Sequence, residues 1–483
     1  MDFVIDKPVV FDQPLPSWLR GSLVRVGPAL FGYGKRNFTH TFDGFGKLYN
    51  WKFYGNGTAS FSSNFLRSQT YNRSVEKNDI ANFMTFQSVM PRFPLPEQEM
   101  VLLNGFDNTN VNVYRICNGQ QKNYEYIALT DAWKIYQIDP LSVGTVGVVN
   151  AQKPQGIVGF VNQMSSAHPV PELGTGHHFT FLTSVSVVPG IKSRLSLLRI
   201  KSSYDRELIA QWEVDKAPYM HSFSVTQNYV IFFAGPYYIN MIRMLEYANA
   251  FDGIEWYPKD NATIYVVEIK TGNVRTLPTP TAYLEHHGNA YEENDKIIFD
   301  ATVYSDPYFS KVLDLRIVKS PVQRNNVYRP PELKRFVVDI KTNTVNISSF
   351  QKSKLHPYTS NFDLPCINEN FRHLKYCYIY GVAQKIDNNT FSRTALVKKD
   401  VCGRNGDKAW VTENHYPVEM WFVPTPNATA EDDGVLLTPV LQGDTKQSYL
   451  LMLNATTMTT LNRGYIPSLV PFTIHGRFFS DLV

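Results

Sequence analysis

Apolar positions in this chain fall in short runs, mostly four to eight residues long, rich in Val, Ile, Tyr and Phe and bounded by Asn, Asp, Gly or Pro. Runs at 127–130, 179–185, 229–233, 264–269, 297–303, 335–340, 376–382, 434–441 and 449–453 have this form. Branched and aromatic side chains pack well on a pleated surface, so each run predicts a strand. Amphipathic helical periodicity is scarce. The most apolar longer stretch, 229–250, is interrupted by Gly235, Pro236, Asn240, Arg243 and Glu246. It predicts a strand followed by a short amphipathic segment rather than a membrane span, which needs about 20 apolar residues.

Many short strands over 483 residues exceed one ordinary core. They predict an all-β fold, and a β-propeller in particular, because radial repetition protects sheet edges. No fixed sequence period supports the kelch or WD40 classes. No Pro/Ser/Gly linker or low-complexity tract divides the chain, so a single domain over 1–483 is expected.

Composition narrows the function classes. Hydrophobic residues are 43% and charged residues 19%, the balance of a soluble globular protein. A net charge of +4 without a dense Lys/Arg cluster gives nucleic-acid binding no support. The four cysteines, Cys117, Cys366, Cys377 and Cys402, form no CxxC pair, and the N-terminus lacks the basic and apolar regions of a signal peptide. Cytoplasmic residence with reduced thiols is the simplest expectation. Eight Asn-x-Ser/Thr sequons, such as those at Asn37, Asn261 and Asn427, then read as coincidence in an Asn-rich chain.

Candidate chemistry lies in four dispersed histidines. His168 stands in SSAHPVPELG, His221 in PYMHSFSVTQ, His286 opens HHGNAYEEND, and His475 stands in PFTIHGRFF. Taken singly, a histidine beside a strand is usually a hydrogen-bonded core or surface residue, and none of these forms an HExxH pair. Spacing alone makes a four-histidine site a weak inference.

The motifs around them change that. The N-terminal block LPSWLRGSLVRVGPALFGYGKRNFTHTFDGFGKLYNW, with Gly21-Ser22, Arg25-x-Gly27-Pro28 and Phe42-Asp43-Gly44, resembles the opening of the carotenoid cleavage oxygenase family. Ala167-His168-Pro169, Met220-His221-Ser222-Phe223, His286-x-x-Asn289-Ala290-Tyr291-Glu292 and His475-Gly476 each resemble a metal motif of that family, in order along the whole chain. Glu431-Asp432-Asp433-Gly434 resembles a further family signature. The likeness is to the animal branch, which contains the β-carotene oxygenases and the retinoid isomerohydrolase.

The resemblance implies a seven-bladed β-propeller capped by loops and short helices, with Fe(2+) on its axis held by His168, His221, His286 and His475. The H-x-x-N register assigns the ligand to His286 rather than His287. His177 and His178 match no motif and are expected to be structural or exposed. Three glutamates orient the ligands in the family. The corresponding positions here are Asp131, Asp363 and Glu419, two of them one methylene shorter. The two aspartates are expected to reach their histidines through a small backbone shift or a bridging water. Four neutral imidazoles leave the full charge on the ion and favour iron(II).

The implied reaction is oxidative cleavage, with O2, of one conjugated double bond of a carotenoid or apocarotenoid into aldehyde or ketone products. Two alternatives stay open: a retinoid isomerohydrolase acting on retinyl esters, and a non-catalytic lipid-binding propeller. Such substrates partition into lipid, so peripheral attachment to a membrane surface is expected. The segment 239–256 is its candidate, with Met241, Ile242, Met244, Leu245 and Phe251 as the apolar patch; a helix packed on the propeller is the competing expectation. The region 90–106 carries no Cys where the animal branch has a Pro-Asp-Pro-Cys motif, which argues against acyl anchoring there.

Overall fold

The computed structural model describes residues 3–117, 124–153, 160–188, 190–385 and 393–483. Among them, strands dominate and form seven antiparallel sheets of four or more strands. The runs expected to be strands all lie in or overlap strands of these sheets.

The first sheet joins both ends of the chain. Its order is Phe3–Pro8, Ala59–Phe65, Phe45–Tyr54, Arg20–Leu30 and His475–Phe479, and Val26 pairs with His475. The second runs from Asn112–Cys117 to Gly144–Val149, and the third from Phe160–Ser165 to Arg206–Val214. The fourth spans Ser224–Val225 to Val274–Thr279, the fifth Tyr283–Glu293 to Thr344–Ser349, and the sixth Phe362–Cys366 to Lys408–Val411. The seventh is built on Gly434–Gln442 and Gln447–Asn454, and takes in Val10–Phe11 from the other end of the chain.

Consecutive sheets share cores, and the reason is visible in one strand. Tyr229–Ala234 is apolar at nearly every position. Side chains alternate faces along a strand, so Val230 and Phe232 pack with Phe181 and Leu197 of the third sheet. Ile231 and Phe233 turn the other way, toward Phe299 and Phe336 of the fifth. The pattern continues around the molecule. Tyr380 and Leu396 of the sixth sheet pack with Leu436 and Leu451 of the seventh. Leu437 and Leu450 of the seventh then meet Trp51 and Phe61 of the first. The last sheet therefore packs on the first.

A separate aromatic cluster closes one end. It contains Phe38, Phe45, Tyr71, Val101, Tyr219, Met244 and Tyr283. Three of these come from the short helices Gln69–Lys77, Leu95–Asn104 and Met241–Tyr247. The last helix follows the strands Tyr229–Ala234 and Tyr237–Ile239, and Asn240 caps it by accepting the Arg243 backbone N–H. No described helix is long and apolar enough to cross a membrane.

One expectation fails outright. Cys377 and Cys402 form a disulfide, while Cys366 is a buried thiol. The bonded cysteines, 25 positions apart in sequence, flank a hairpin. Tyr378–Lys385 pairs with Arg393–Asp400 so that Tyr378 faces Asp400, which brings the flanking cysteines together. Cysteine spacing cannot reveal a partner set by strand register.

Candidate metal centre

Four sheets each contribute one histidine. His168 follows the first strand of the third sheet, and His221 precedes the first strand of the fourth. His286 lies in Tyr283–Glu293 of the fifth, and His475 opens the C-terminal strand of the first. One ring nitrogen of each can be chosen so that all four lie within 4.8 Å of one another. His168 Nε2 is 2.9 Å from His221 Nε2, which is 3.2 Å from His286 Nε2. His221 and His475 are opposite each other, with ring centroids 6.4 Å apart, whereas the other pairs lie at 4.4–5.1 Å.

The three remaining sheets supply carboxylates behind the rings. Asp131 follows a strand of the second sheet and accepts His221 Nδ1–H at 2.7 Å. Asp363 of the sixth accepts His286 Nδ1–H at 2.8 Å. Glu419 of the seventh accepts His475 Nδ1–H at 2.7 Å and the Gly476 N–H at 3.2 Å. His168 has an amide instead, with Asn112 Nδ2 at 3.5 Å from its Nδ1. All seven sheets thus meet at one point. The shorter aspartates reach their histidines directly, so the bridging water expected from the sequence is not needed.

Neighbouring hydroxyls hold the carboxylates in turn. Tyr219 donates to Asp131 at 2.7 Å, and Asp131 also accepts the Ala167 N–H beside His168. Asp363 accepts from Tyr304 and Thr302. The Arg25 guanidinium, fully buried, stands 3.7 Å from Glu419 and donates to Thr473 and the Ile474 carbonyl. Sequence reading missed Tyr219, Thr302 and Tyr304, and met Arg25 only as part of a family motif; Tyr219, two residues before His221, also carried a local signal. His287 turns away, pairing with the Ser224 hydroxyl at 2.7 Å and stacking on Phe299.

Electrostatics follow from burial and these pairs. Burial, reinforced by the other three rings, holds His168 well below its usual range. Burial also pulls His475 down to about 4, against the opposing pull of Glu419. Burial opposes the charge on His221, but Asp131 and Glu285 outweigh it and raise the ring to about 9. Asp363 is likewise buried, yet His286 and the hydroxyl donors bring it down to about 2.

The donor set fits a metal cation. Each of three rings spends its Nδ1–H on a carboxylate, which turns Nε2 to the centre; His221, held charged up to about 9, gives up its Nε2 proton when a cation binds. The Nε2 of His475 is buried without a hydrogen-bond partner. Converging lone pairs repel unless a cation lies among them. Imidazole donors suit iron, copper, nickel and zinc.

Two cavities flank the histidines. One is polar and includes Glu369, Arg372 and Arg477. The other encloses about 1090 Å³, part of it open space, and is walled by Phe42, Phe86, Tyr308, Phe309, Val312 and Ile474. His221, His286 and His475 reach both its edge and the cluster centre, so an apolar ligand there lies against the metal site.

This fold and this site define a family. The model of the retinal pigment epithelial membrane protein family matches residues 8–480, and the chain belongs to it, within the carotenoid cleavage oxygenases. Among curated relatives, rat beta,beta-carotene 15,15'-dioxygenase (Rattus norvegicus) is 27% identical, over 97% of this chain and 88% of that protein. A mitochondrial carotenoid-cleaving dioxygenase from Macaca fascicularis is 28% identical, over 96% and 90%. A carotenoid isomerooxygenase from Galleria mellonella is 26% identical, over 96% and 92%. Cobalt-substituted Synechocystis apocarotenoid oxygenase superposes with a TM-score of 0.80 at 23% identity, over 98% of this chain and 95% of that one, which establishes the shared fold.

Proposed function

We propose that this chain is an iron(II)-dependent dioxygenase that uses O2 to cleave one conjugated double bond of a carotenoid or apocarotenoid into aldehyde or ketone products. The carrying observation is the inward-facing histidine cluster, backed by Asp131, Asp363 and Glu419, at the wall of an aromatic cavity. His168, His221, His286 and His475 would hold iron(II), and the bound metal would supply dioxygen activation. The protein's own share is positional. The apolar walls exclude water and align the polyene so that one double bond lies beside the cluster. The carboxylates hold the rings in one tautomer, and no side-chain acid or base is required.

We read the architecture as one domain over 1–483, a seven-bladed β-propeller under a cap of loops and short helices. The ring of shared cores and the pairing of both chain ends in the first sheet support this. We also read the cap as peripheral to a lipid surface, but with a revised patch. Met244 is buried in the cap core, Met241 and Phe251 are half-buried, and the side chain of Leu245 lies outside the described set. Ile242 is 79% exposed, and the helix Leu95–Asn104 adds Leu95 at 77% and Leu103 at 78%. One face of the helix Met241–Tyr247 packs into the cap core, and the exposed Ile242 on the other supports the lipid-facing reading. The bonded Cys377–Cys402 pair fits an oxidising compartment better than the reducing cytoplasm.

The deciding experiment incubates iron-loaded protein with a panel of carotenoids, apocarotenoids and retinyl esters, following oxygen uptake and products together. Aldehyde or ketone formation matched to oxygen uptake is the expected result. Isomerised retinol without oxygen uptake would establish the isomerohydrolase instead, and bound but unchanged lipid would establish a binding protein.

A further inference from the structure

One carboxylate at the aromatic cavity makes no hydrogen bond to the histidines among the described residues. Glu285 is 6% exposed and lines that cavity beside His221 and His286. A register shift between Leu284 and His287 explains how it gets there. In a regular strand residues 285 and 286 point to opposite faces, but the bulge lets both side chains reach the same cavity.

Its hydrogen bonding is incomplete. Oε2 accepts from the Tyr283 hydroxyl. Oε1 has no hydrogen-bond donor among the described residues, and His221 Nδ1 stands 3.9 Å from it. That ring N–H is already committed to Asp131 at 2.7 Å. Glu285 is buried as a residue, and an oxygen that no protein group completes there is kept where something in the cavity completes it. Most of the lining is aromatic or aliphatic and none of its polar groups, Asn361 and Gln384 included, hydrogen-bonds Oε1 among the described residues, so the missing partner comes from whatever occupies the cavity.

We propose that Glu285 is a specificity-determining residue, whose Oε1 receives a hydroxyl carried by an otherwise apolar substrate. This rests on the polyene-cleaving reading for the identity of that substrate, a hydroxylated apocarotenoid rather than a hydrocarbon. A hydroxyl both donates and accepts, so it satisfies the carboxyl group in either protonation state, which neither an ammonium nor a carbonyl does. An acceptor open to a largely apolar cavity also fixes one end of a rod-like molecule. It thereby sets which double bond lies beside the histidines.

The test compares an apocarotenoid alcohol with its deoxy analogue, in iron-loaded protein held without oxygen, with affinity read from quenching of protein fluorescence. The wild type binds the alcohol roughly 10- to 100-fold more tightly, although the deoxy compound is the more hydrophobic. Glu285→Gln, which still accepts a hydrogen bond, keeps most of that preference. Glu285→Leu reverses it, with iron content and thermal unfolding measured alongside. Equal affinity of the wild type for both compounds overturns the inference, whether or not the leucine variant folds. Oxygen is then admitted. Cleavage without a hydroxyl preference sinks the role of Glu285 and keeps the dioxygenase, while a hydroxyl preference without cleavage does the reverse.

Discussion

The histidine centre and the helical cap are both largely buried and both rich in aromatic residues, yet they are held by different means. At the centre every group answers to several others. Asp131 alone accepts from His221, Tyr219 and the Ala167 backbone, and Ser166 accepts the His168 N–H while donating to the His221 carbonyl. In the cap, contact is mostly shape and apolar area. The helix Leu95–Asn104 has no side-chain cap at its N-terminus, buries only Val101 fully, and leaves two leucines in solvent. Hydrogen-bond networks specify a geometry to fractions of an ångström, whereas apolar packing tolerates rearrangement. A reaction centre needs the first, and a surface that meets lipid can use the second.

Four experiments break or sharpen that contrast. Removing a ligand should have the largest effect. His221→Ala should lower iron affinity beyond the roughly 100-fold that loss of an outer partner produces, and abolish turnover, as checked by metal analysis and oxygen uptake. Asp131→Ala keeps all four ligands but frees the His221 ring, and should weaken iron binding by about 10- to 100-fold in a chelator competition. Unchanged affinity there would mean that the carboxylate is merely a turn residue.

The cap comes next. Ile242→Ser combined with Leu103→Ser should cut vesicle binding by roughly tenfold in co-sedimentation and leave iron content alone. A fall in iron content would erase the distinction between the two regions. The smallest effect concerns His40, which is fully buried between them and held down to about 3, chiefly by burial. The unfolded chain takes up this proton below about 6.5 and the folded one does not, so stability rises with pH between those values. Between pH 7 and pH 6 its share of the loss is below about 1 kcal/mol, and His40→Gln should flatten that part of the denaturation profile.

The strands were legible because their signal is local. Tyr229–Ala234 reads as a buried strand from its own six residues, whichever neighbours cover it. The helix Met241–Tyr247 was legible as a segment but not by face, since burial of Met244 and exposure of Ile242 depend on which sheets lie beneath. The four histidines were legible as candidate metal ligands only through motifs shared with a family. No local pattern says that His168 and His475, more than three hundred residues apart, stand with ring centroids 4.4 Å apart.

By itself, then, the sequence determined an all-β chain of short strands and four histidines in family contexts, with aspartates where longer acids are expected. Tertiary structure alone decided that those aspartates reach their rings directly, that Tyr219 and Tyr304 hold them, and that Cys377 finds Cys402. It alone turned Glu285 into the cavity. The division has one physical cause. Apolar periodicity is fixed by residues two apart, whereas a hydrogen bond or disulfide between sheets depends on register, bulges and ring closure, which no short stretch of chain encodes.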